Sequence, residues 1–599
     1  MNVPQPGPAS FTTAKPEREP VGRVRGQRGR RSVDATKGEL RRRARRGGCG
    51  GGAERGAAAR AGRCVSSRGW GLAEELPGME PLGLGSQGAA PERRSTSLQS
   101  LLAAFRRARC LRRVRGTLPP DAWREAVELA RIAGPVFLEQ MMVFLLSVMS
   151  SIFCGHLGKV ELDAVTLALS VVNVIGISVG TGLASACDTL VSQTFGAKNM
   201  KRIGIILQRA ILILLLCCFP CWAIFINIER ILLFARQDPE VSKLAQVYVM
   251  IFLPSLPAAF LYQLQTRYLR SQGITLPQVF TGIAANIINV GMNALFLYAL
   301  NLGVVGSAWA NTTSQFTQAC LLFLYVWWKK IHVETWGGWS AECFQEWGAF
   351  IRIAVPSMLM VCIEWWTFEV GTFLTGMISI TTLGAQAIIY ELSSVAYMVP
   401  LGLGVAASFR VGNALGAGNI DQAKQSSVIA LLCTGICAIV VVIIFIALKN
   451  VVAYVFTSDK DIITMVDQMM PVFIPFLLFD AMAGTCSGIL RGTGKQKIGA
   501  ILNAVGYYVI GFPMGVSLMF ATKLGILGLW LGLITCVFFQ SLFYFIYILK
   551  TNWEQAAEQA KIRAGLKGTS LSARTELAEG GGAGRGERGQ SVHVASSSQ

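Results

Sequence analysis

Arg131-Ile-Ala-Gly-Pro135 and Arg352-Ile-Ala-Val-Pro356 open two apolar stretches of one chain, 221 residues apart. Arg270-Ser-Gln-Gly273 and Arg491-Gly-Thr-Gly494 repeat at the same offset, and Leu302-Gly-Val-Val-Gly306 and Leu524-Gly-Ile-Leu-Gly528 at 222. Gly180-x-Gly182 pairs with Gly402-x-Gly404, and Gly196-Ala-Lys-Asn199 with Gly416-Ala-Gly-Asn419. Each match is short, but a near-constant offset marks an internal repeat. The chain holds two copies of one unit.

Working outward from these strings, the unit is a set of apolar runs. A bilayer-spanning helix needs ~20 largely apolar residues, because lipid offers no partner for a bare backbone group. Twelve such stretches fall near 133–155, 164–187, 203–227, 245–266, 278–300, 305–328, 350–376, 383–408, 427–448, 466–489, 498–521 and 526–549. Each copy has six, an even number, so both enter the membrane from the same side. The expected fold is an all-α polytopic membrane protein: twelve transmembrane helices in two pseudo-symmetric six-helix lobes. The boundaries are an N-terminal tail over 1–130, an N-lobe over 131–330, a C-lobe over 331–550 and a polar tail over 551–599. Two similar bundles face to face suit alternating access, one rocking against the other around a central site.

Composition agrees. Of 599 residues, 52% are hydrophobic and 15% charged, against ~25% charged in a soluble chain. The net charge of +20 resolves into +14 over 1–130, +2 over 550–599 and only +4 between them. That placement removes the nucleic-acid reading which a basic chain invites. Arg41-Arg-Arg-Ala-Arg-Arg46 lies in Arg/Gly/Ala-rich low complexity, and Met79-Glu-Pro would serve as a second start site. Loops on the side of the N-terminus carry twelve Lys and Arg, including Arg267, Arg270, Arg410 and Arg491, against seven on the other side. The positive-inside bias puts both termini in the cytoplasm.

Several chemistries drop out. The fifteen cysteines lie mostly inside apolar spans, and Cys218-Phe-Pro-Cys221 has no βαβ setting for redox work. Arg491-Gly-Thr-Gly-Lys495-Gln496 lacks the first glycine and the Ser/Thr of a phosphate loop. The three histidines, His156, His332 and His593, lie in loops or a tail, so neither a metal centre nor an enzyme is expected. Any pumping must then draw on an ion gradient.

Charges inside spans are functional hypotheses by default. They are Glu139, Asp188, Glu364, Glu369, Glu391 and Asp480, with Arg209 as the main base at depth, able to pair with one acid. Unpaired carboxylates in low dielectric hold a proton until a cation replaces it. The seventh span reads Glu364-Trp-Trp-Thr-Phe-Glu369. Five residues on a helix turn about 140°, so these acids flank a broad face and do not stack. Trp365, Trp366 and Phe368 between them suit an organic cation, which acid and ring quadrupole both attract. The equivalent first-half positions are Val143 and Val148, so coupling chemistry belongs to the C-terminal bundle, with Glu139 able to contribute from across the cavity. Asn173, Gln193, Asn286, Asn289, Asn311 and Gln315 line a cavity or bond between helices, and bonding is the commoner role.

Phe153-Cys-Gly-His-Leu-Gly-Lys-Val-Glu-Leu-Asp-Ala-Val-Thr-Leu-Ala168, Ser185-Ala-Cys-Asp-Thr-Leu190, Leu216-Cys-Cys-Phe-Pro-Cys-Trp222, Pro356-Ser-Met-Leu-Met360 and Arg410-Val-Gly-Asn-Ala-Leu-Gly-Ala-Gly418 resemble the vertebrate multidrug and toxin extrusion (MATE) family, nearest its type 1 branch. The resemblance runs over about 120–565. It implies a proton-coupled antiporter exporting organic cations and some zwitterions of the tetraethylammonium, metformin, cimetidine, thiamine and creatinine type. It also implies an apical plasma membrane, no cofactor beyond the coupling proton, and two lobes around a V-shaped cavity. The family's functional acids fall on Glu364, Glu369 and Glu391, with Asp480 where the family has glutamate. Its thiol-sensitive cysteines fall on Cys154 and Cys218. Leu477 stands for a histidine and Phe368 for a tyrosine. Trp365, Phe368, Tyr390, Gln140 and Asn173 are the candidate substrate contacts, and a monomer without a nucleic-acid partner is expected. Sodium coupling and export of lipid-linked intermediates are the competing readings on this scaffold.

Overall fold

The computed structural model describes residues 121–566, which are helical almost throughout. Most of the basic tail, with Arg41–Arg46 and Met79, and the stretch after 566 lie outside them. Twelve long helices follow in order. They are α1 (Ala122–Gly155), α2 (Val160–Gly196), α3 (Met200–Ile226), α4 (Pro239–Phe252 and Ser255–Arg270), α5 (Leu276–Ala299) and α6 (Gly303–Trp328) in the first half. The second half has α7 (Trp347–Gly376), α8 (Ile380–Gly416), α9 (Ile420–Leu448), α10 (Lys460–Thr493), α11 (Gln496–Phe520) and α12 (Ile526–Leu549).

Ten of these are long and apolar enough to cross a membrane, and α4, bent by 58° beside Pro254, makes an eleventh. Helix α6 has the length, 26 residues, but a polar middle keeps it below that apolar level. Its polar groups point inward: Asn311 donates to the Tyr248 hydroxyl at 3.0 Å and Ser314 accepts from Asn289 at 3.1 Å. Gln193 and Asn286 are likewise bonded to backbone carbonyls of other helices, Gly492 and Met142.

Three of the five repeated string pairs fall at turns; the Arg131–Pro135 and Arg352–Pro356 strings lie inside α1 and α7, and the Gly180 and Gly402 strings inside α2 and α8. Gly273 and Gly494 close α4 and α10 with φ of 76° and 77°, in the left-handed region that favours glycine. Lys198 and Gly418 do so after α2 and α8, at 58° and 77°. Part of the sequence repeat is therefore a repeat of helix stops, which local chemistry dictates. Caps fix the starts: Ser379, Asn419 and Asp459 each accept a first-turn backbone N–H, for α8, α9 and α10.

The structure differs from the sequence reading in two places, the first of them a matter of charge. Most helices run past their apolar cores at the basic end, so α1 begins at Ala122 and not near 133. Arg267 and Arg270, read as loop residues, end α4 at 5% exposure each. The second concerns the tail: Trp553–Arg563 forms another helix, α13, capped by Asn552. Its Ala556, Ala557 and Ala560 pack on Val411, Ala414 and Leu415 of α8 and Ala423 of α9.

Each half has its own buried core. Phe225, Tyr248, Phe252 and Phe260 lie in the first; Phe473, Phe476, Tyr507 and Trp530 lie in the second. Helix α1 contributes Leu129, Ile132, Ala133 and Val136 to the second core, so the halves interlock at the basic end.

Candidate functional site

The two halves cross through glycines. A Cβ on Gly196 would strike the Asn413 carbonyl, and one on Gly416 the Gln193 carbonyl. Higher up, Gly402 meets Ala133 of α1 and Gly182 meets Met358 of α7. Side chains tie the same end. Thr189 donates to the Arg491 carbonyl at 2.5 Å and Gln193 to that of Gly492 at 2.9 Å, while Gln496 donates to Thr189. Glu125 of α1 takes Arg410 of α8, with Nε–H to Oε1 at 2.9 Å, and the Ser426 hydroxyl of α9 at 2.5 Å. Among the described residues, the cross-half hydrogen bonds and ion pairs run from this basic end as far as Trp366 on Val174, with Glu369 beside Ser170 just beyond. The pair is sealed at one end.

Within this frame the six intramembrane acids divide into two classes. Glu139 is ion-paired with Arg270, both nearly inaccessible, so it does not contribute a free carboxylate across the cavity. Asp188 is paired with Arg267 at 2.9 Å. Arg209, the expected counter-ion at depth, turns instead to the connection between the halves, 3.6 Å from Glu346 and bonded to the Glu342 carbonyl. The reason lies in placement: α4 brings two arginines against acids of α1 and α2, a long-range pairing that no local pattern shows.

Glu364, Glu369, Glu391 and Asp480 form no ion pair among the described residues, and all four are in the second half. Asp480 is buried at 7% exposure, in a crevice shared with Tyr397, Pro400, Thr434 and Leu477. Glu364 has the Tyr397 hydroxyl and the Arg491 guanidinium among its polar neighbours, and Tyr397 is near both Glu364 and Asp480. Glu369 looks elsewhere. Its polar neighbour is Ser170 of α2, in the opposite half, and Tyr390 lies close to both Glu369 and Glu391. The 140° between the two glutamates thus gives them different surroundings.

Phe368 is half-buried, its ring 5.9 Å from Tyr390, 6.4 Å from Phe476 and 6.5 Å from Trp530. Trp530 is itself fixed by a 2.9 Å bond to Gln386. Trp365 and Gln140 are half-buried on α7 and α1. Asn173 lies in a π-helical segment of α2, Val172–Ile177. Cys154 and Cys218 are fully packed, at 0% and 1% exposure, and every cysteine among the described residues is free. Those residues hold no cluster fit for a metal.

The MatE family pattern matches residues 135–295 and 356–517, one copy on each half. The chain belongs to the MATE family. It is 72% identical over 464 residues to mouse multidrug and toxin extrusion protein 2, covering 78% of this chain and 81% of that one. With mouse multidrug and toxin extrusion protein 1 the identity is 59% over 456 residues, 76% and 80% of the two chains. Type 2 thus stands ahead of type 1 in this comparison. Among solved structures, the eukaryotic MATE transporter AtDTX14 superposes with a TM-score of 0.72 at 32% identity, over 74% of this chain and 99% of that one. The chain is a multi-pass membrane transporter of the MATE fold, with six helices in each half.

Proposed function

We propose that this MATE protein exports organic cations in exchange for protons. The observation that carries the reading is the asymmetry of charge. Glu139 and Asp188 of the first half are ion-paired with arginines, whereas Glu364, Glu369, Glu391 and Asp480 of the second half form no ion pair among the described residues. Protons and cations compete for such carboxylates, and mutual exclusion is enough for antiport. With the basic loops in the cytoplasm, the sealed end faces inward and the site opens outward. A proton arriving from outside displaces the bound cation, and reorientation of the halves returns the proton inside. Glu364, Glu369, Glu391 and Asp480 are the coupling acids. Trp365, Phe368, Tyr390, Gln140 and Asn173 contact the cation. Cys154 and Cys218 are the sites at which thiol reagents interfere, reached when the packing around them opens.

The substrates are of the tetraethylammonium, metformin, cimetidine, thiamine and creatinine class. The protein works as a monomer at the apical plasma membrane with both termini in the cytoplasm, without cofactor or nucleic-acid partner. An exporter of pyrophosphate-linked lipids would need a basic cavity, and the buried arginines Arg267 and Arg270 already have acid partners.

Uptake of labelled tetraethylammonium into proteoliposomes tests the proposal. An outward proton gradient should drive uptake and Glu364→Gln should abolish it. Uptake driven by sodium alone would replace the proton by sodium, and an inert Glu364→Gln would end the carboxylate reading.

A further inference from the structure

Helix α7 carries a second face, turned toward the opposite half, and its register against α2 is regular. Cys362 donates to the Ser178 hydroxyl at 3.6 Å, and Trp366 donates its indole N–H to the Val174 carbonyl at 2.9 Å. Glu369 follows, beside Ser170. Residues 170, 174 and 178 are one helical turn apart on α2, as are 362 and 366 on α7, with Glu369 three further on. Trp366 and Glu369 lie about 60° apart around α7, whereas Glu364 lies about 160° from Trp366 and looks into its own half. The three contacts are rungs of one ladder, and the acid is its last rung.

The backbone of α2 is altered where the middle rung lands. Over Val172–Ile177 the helix is π-helical, and the Ser178 N–H bonds to the Asn173 carbonyl, five residues back. In an α-helix that N–H would occupy the Val174 carbonyl. Released from it, Val174 accepts the Ser178 hydroxyl at 2.5 Å and the Trp366 indole. The Trp366 side chain remains 38% exposed although its N–H is bonded. What the opposite half holds is therefore the polar end of this side chain.

We propose that Trp366 is a positioning residue for Glu369. Its N–H, anchored on the Val174 carbonyl of the other half, sets the rotation of α7 and so the direction in which Glu369 faces. Because the anchor belongs to the first half, Glu369 is positioned only while the halves keep this crossing. Ser170 from α2 and Tyr390 from α8, itself near Glu391, are the polar and titratable groups facing the carboxylate. The inference deepens the antiport reading and rests on it for its transport readout.

Replacing Trp366 in the full chain by β-(3-benzothienyl)alanine removes the N–H and keeps the ring. In proteoliposomes, the KM for labelled tetraethylammonium should rise about threefold to tenfold, the worth of one hydrogen bond, with the maximal rate per inserted protein little changed. The pH of half-maximal uptake should move by about half a unit to one unit. A KM and pH curve equal to those of the wild type would overturn the proposal, as would a fall in inserted protein with both unchanged. A wild type that carries no cation would instead end the antiport reading. Trp366 is then judged by the Glu369 carboxyl band in difference infrared spectra, assigned with Glu369→Gln. A band that shifts with the isostere supports the proposal, and one that stays put overturns it.

Discussion

Gly196 and Gly416 occupy equivalent places in the two halves, 220 residues apart, and each lies against a backbone carbonyl on the other's helix. Gly196 of α2 abuts Asn413 of α8, and Gly416 of α8 abuts Gln193 of α2. Asn413 and Gln193 are themselves 220 apart, so the crossing is its own image under the pseudo-twofold that relates the halves. A contact of this kind can form and break as a unit when one half rocks on the other.

Either glycine changed to alanine should therefore do the same thing. The added methyl meets backbone, which cannot rotate away, and overpacking of this kind costs about 1–3 kcal/mol. Gly196→Ala and Gly416→Ala should each lower the melting temperature of the purified protein. Each should also speed labelling of a cysteine placed at Asn199. Because both act on one crossing, the double variant should fall short of the sum. Full additivity, or an effect from one glycine alone, would contradict a shared symmetric contact.

The Glu139–Arg270 pair gives a second test, separating a structural acid from a coupling acid. Arg270→Met leaves a buried carboxylate without its partner, a loss of about 3–5 kcal/mol in such pairs. Glu139→Leu combined with Arg270→Met should recover most of the thermal stability, and the double variant should still exchange cations for protons. Loss of exchange in a stable double variant would return Glu139 to the coupling acids.

These cases show where the sequence was readable. Helix stops at Gly273, Gly418 and Gly494 are local chemistry, so the repeat and the six-plus-six plan could be read directly from the residues. The angle between Glu364 and Glu369 is helix geometry, so it was legible that the two acids do not stack, but the groups around each come from other helices and were not legible. Arg267 and Arg270 were misplaced because hydropathy ends a helix at its first charge, whereas the fold supplies Asp188 and Glu139 from 79 and 131 residues away. Helix α13 was missed because its buried face is alanine, too small to raise an apolar signal in a polar tail. Only the Asn552 cap hinted at it. Trp366 was seen as an aromatic among acids, but a carbonyl released by a π-turn in another helix has no signature in residue type.

Tyr397 is near both Glu364 and Asp480, so its hydroxyl is expected to hold their relation. Tyr397→Phe keeps the ring in the crevice and removes the hydroxyl, which beside a charged group is worth about 1.5–3 kcal/mol. Exchange should slow about tenfold or more, with normal insertion. In a Glu364→Asp background the same change should slow it much less, because the partner has already withdrawn. Equal effects in both backgrounds, measured as initial rates of proton-driven uptake, would make Tyr397 a packing residue.

Helix α13 ties the sealed end from below, and Arg563 is where it does so. Its guanidinium donates to Gln193 of α2 at 3.2 Å, and its carbonyl accepts from Arg202 of α3 at 3.2 Å. Asn199 reaches the Ala564 carbonyl at 3.0 Å. The alanine face of α13 meanwhile sits on α8 and α9, so a single short helix holds both halves. Burial pushes the Arg563 guanidinium below its ordinary value, yet at physiological pH it stays charged, so the contacts to Gln193 persist across that range. Arg563→Ala should weaken the sealed arrangement without disturbing the carboxylates above it. The expected pattern is faster cysteine labelling at position 199, a lower melting temperature and an unchanged KM for tetraethylammonium. Removing the chain from Asn552 onward should do the same to a larger degree. If neither variant alters labelling, α13 rests on the transporter without restraining it, and the glycine crossing with the Glu125–Arg410, Thr189–Arg491 and Gln193–Gly492 contacts keeps that end shut.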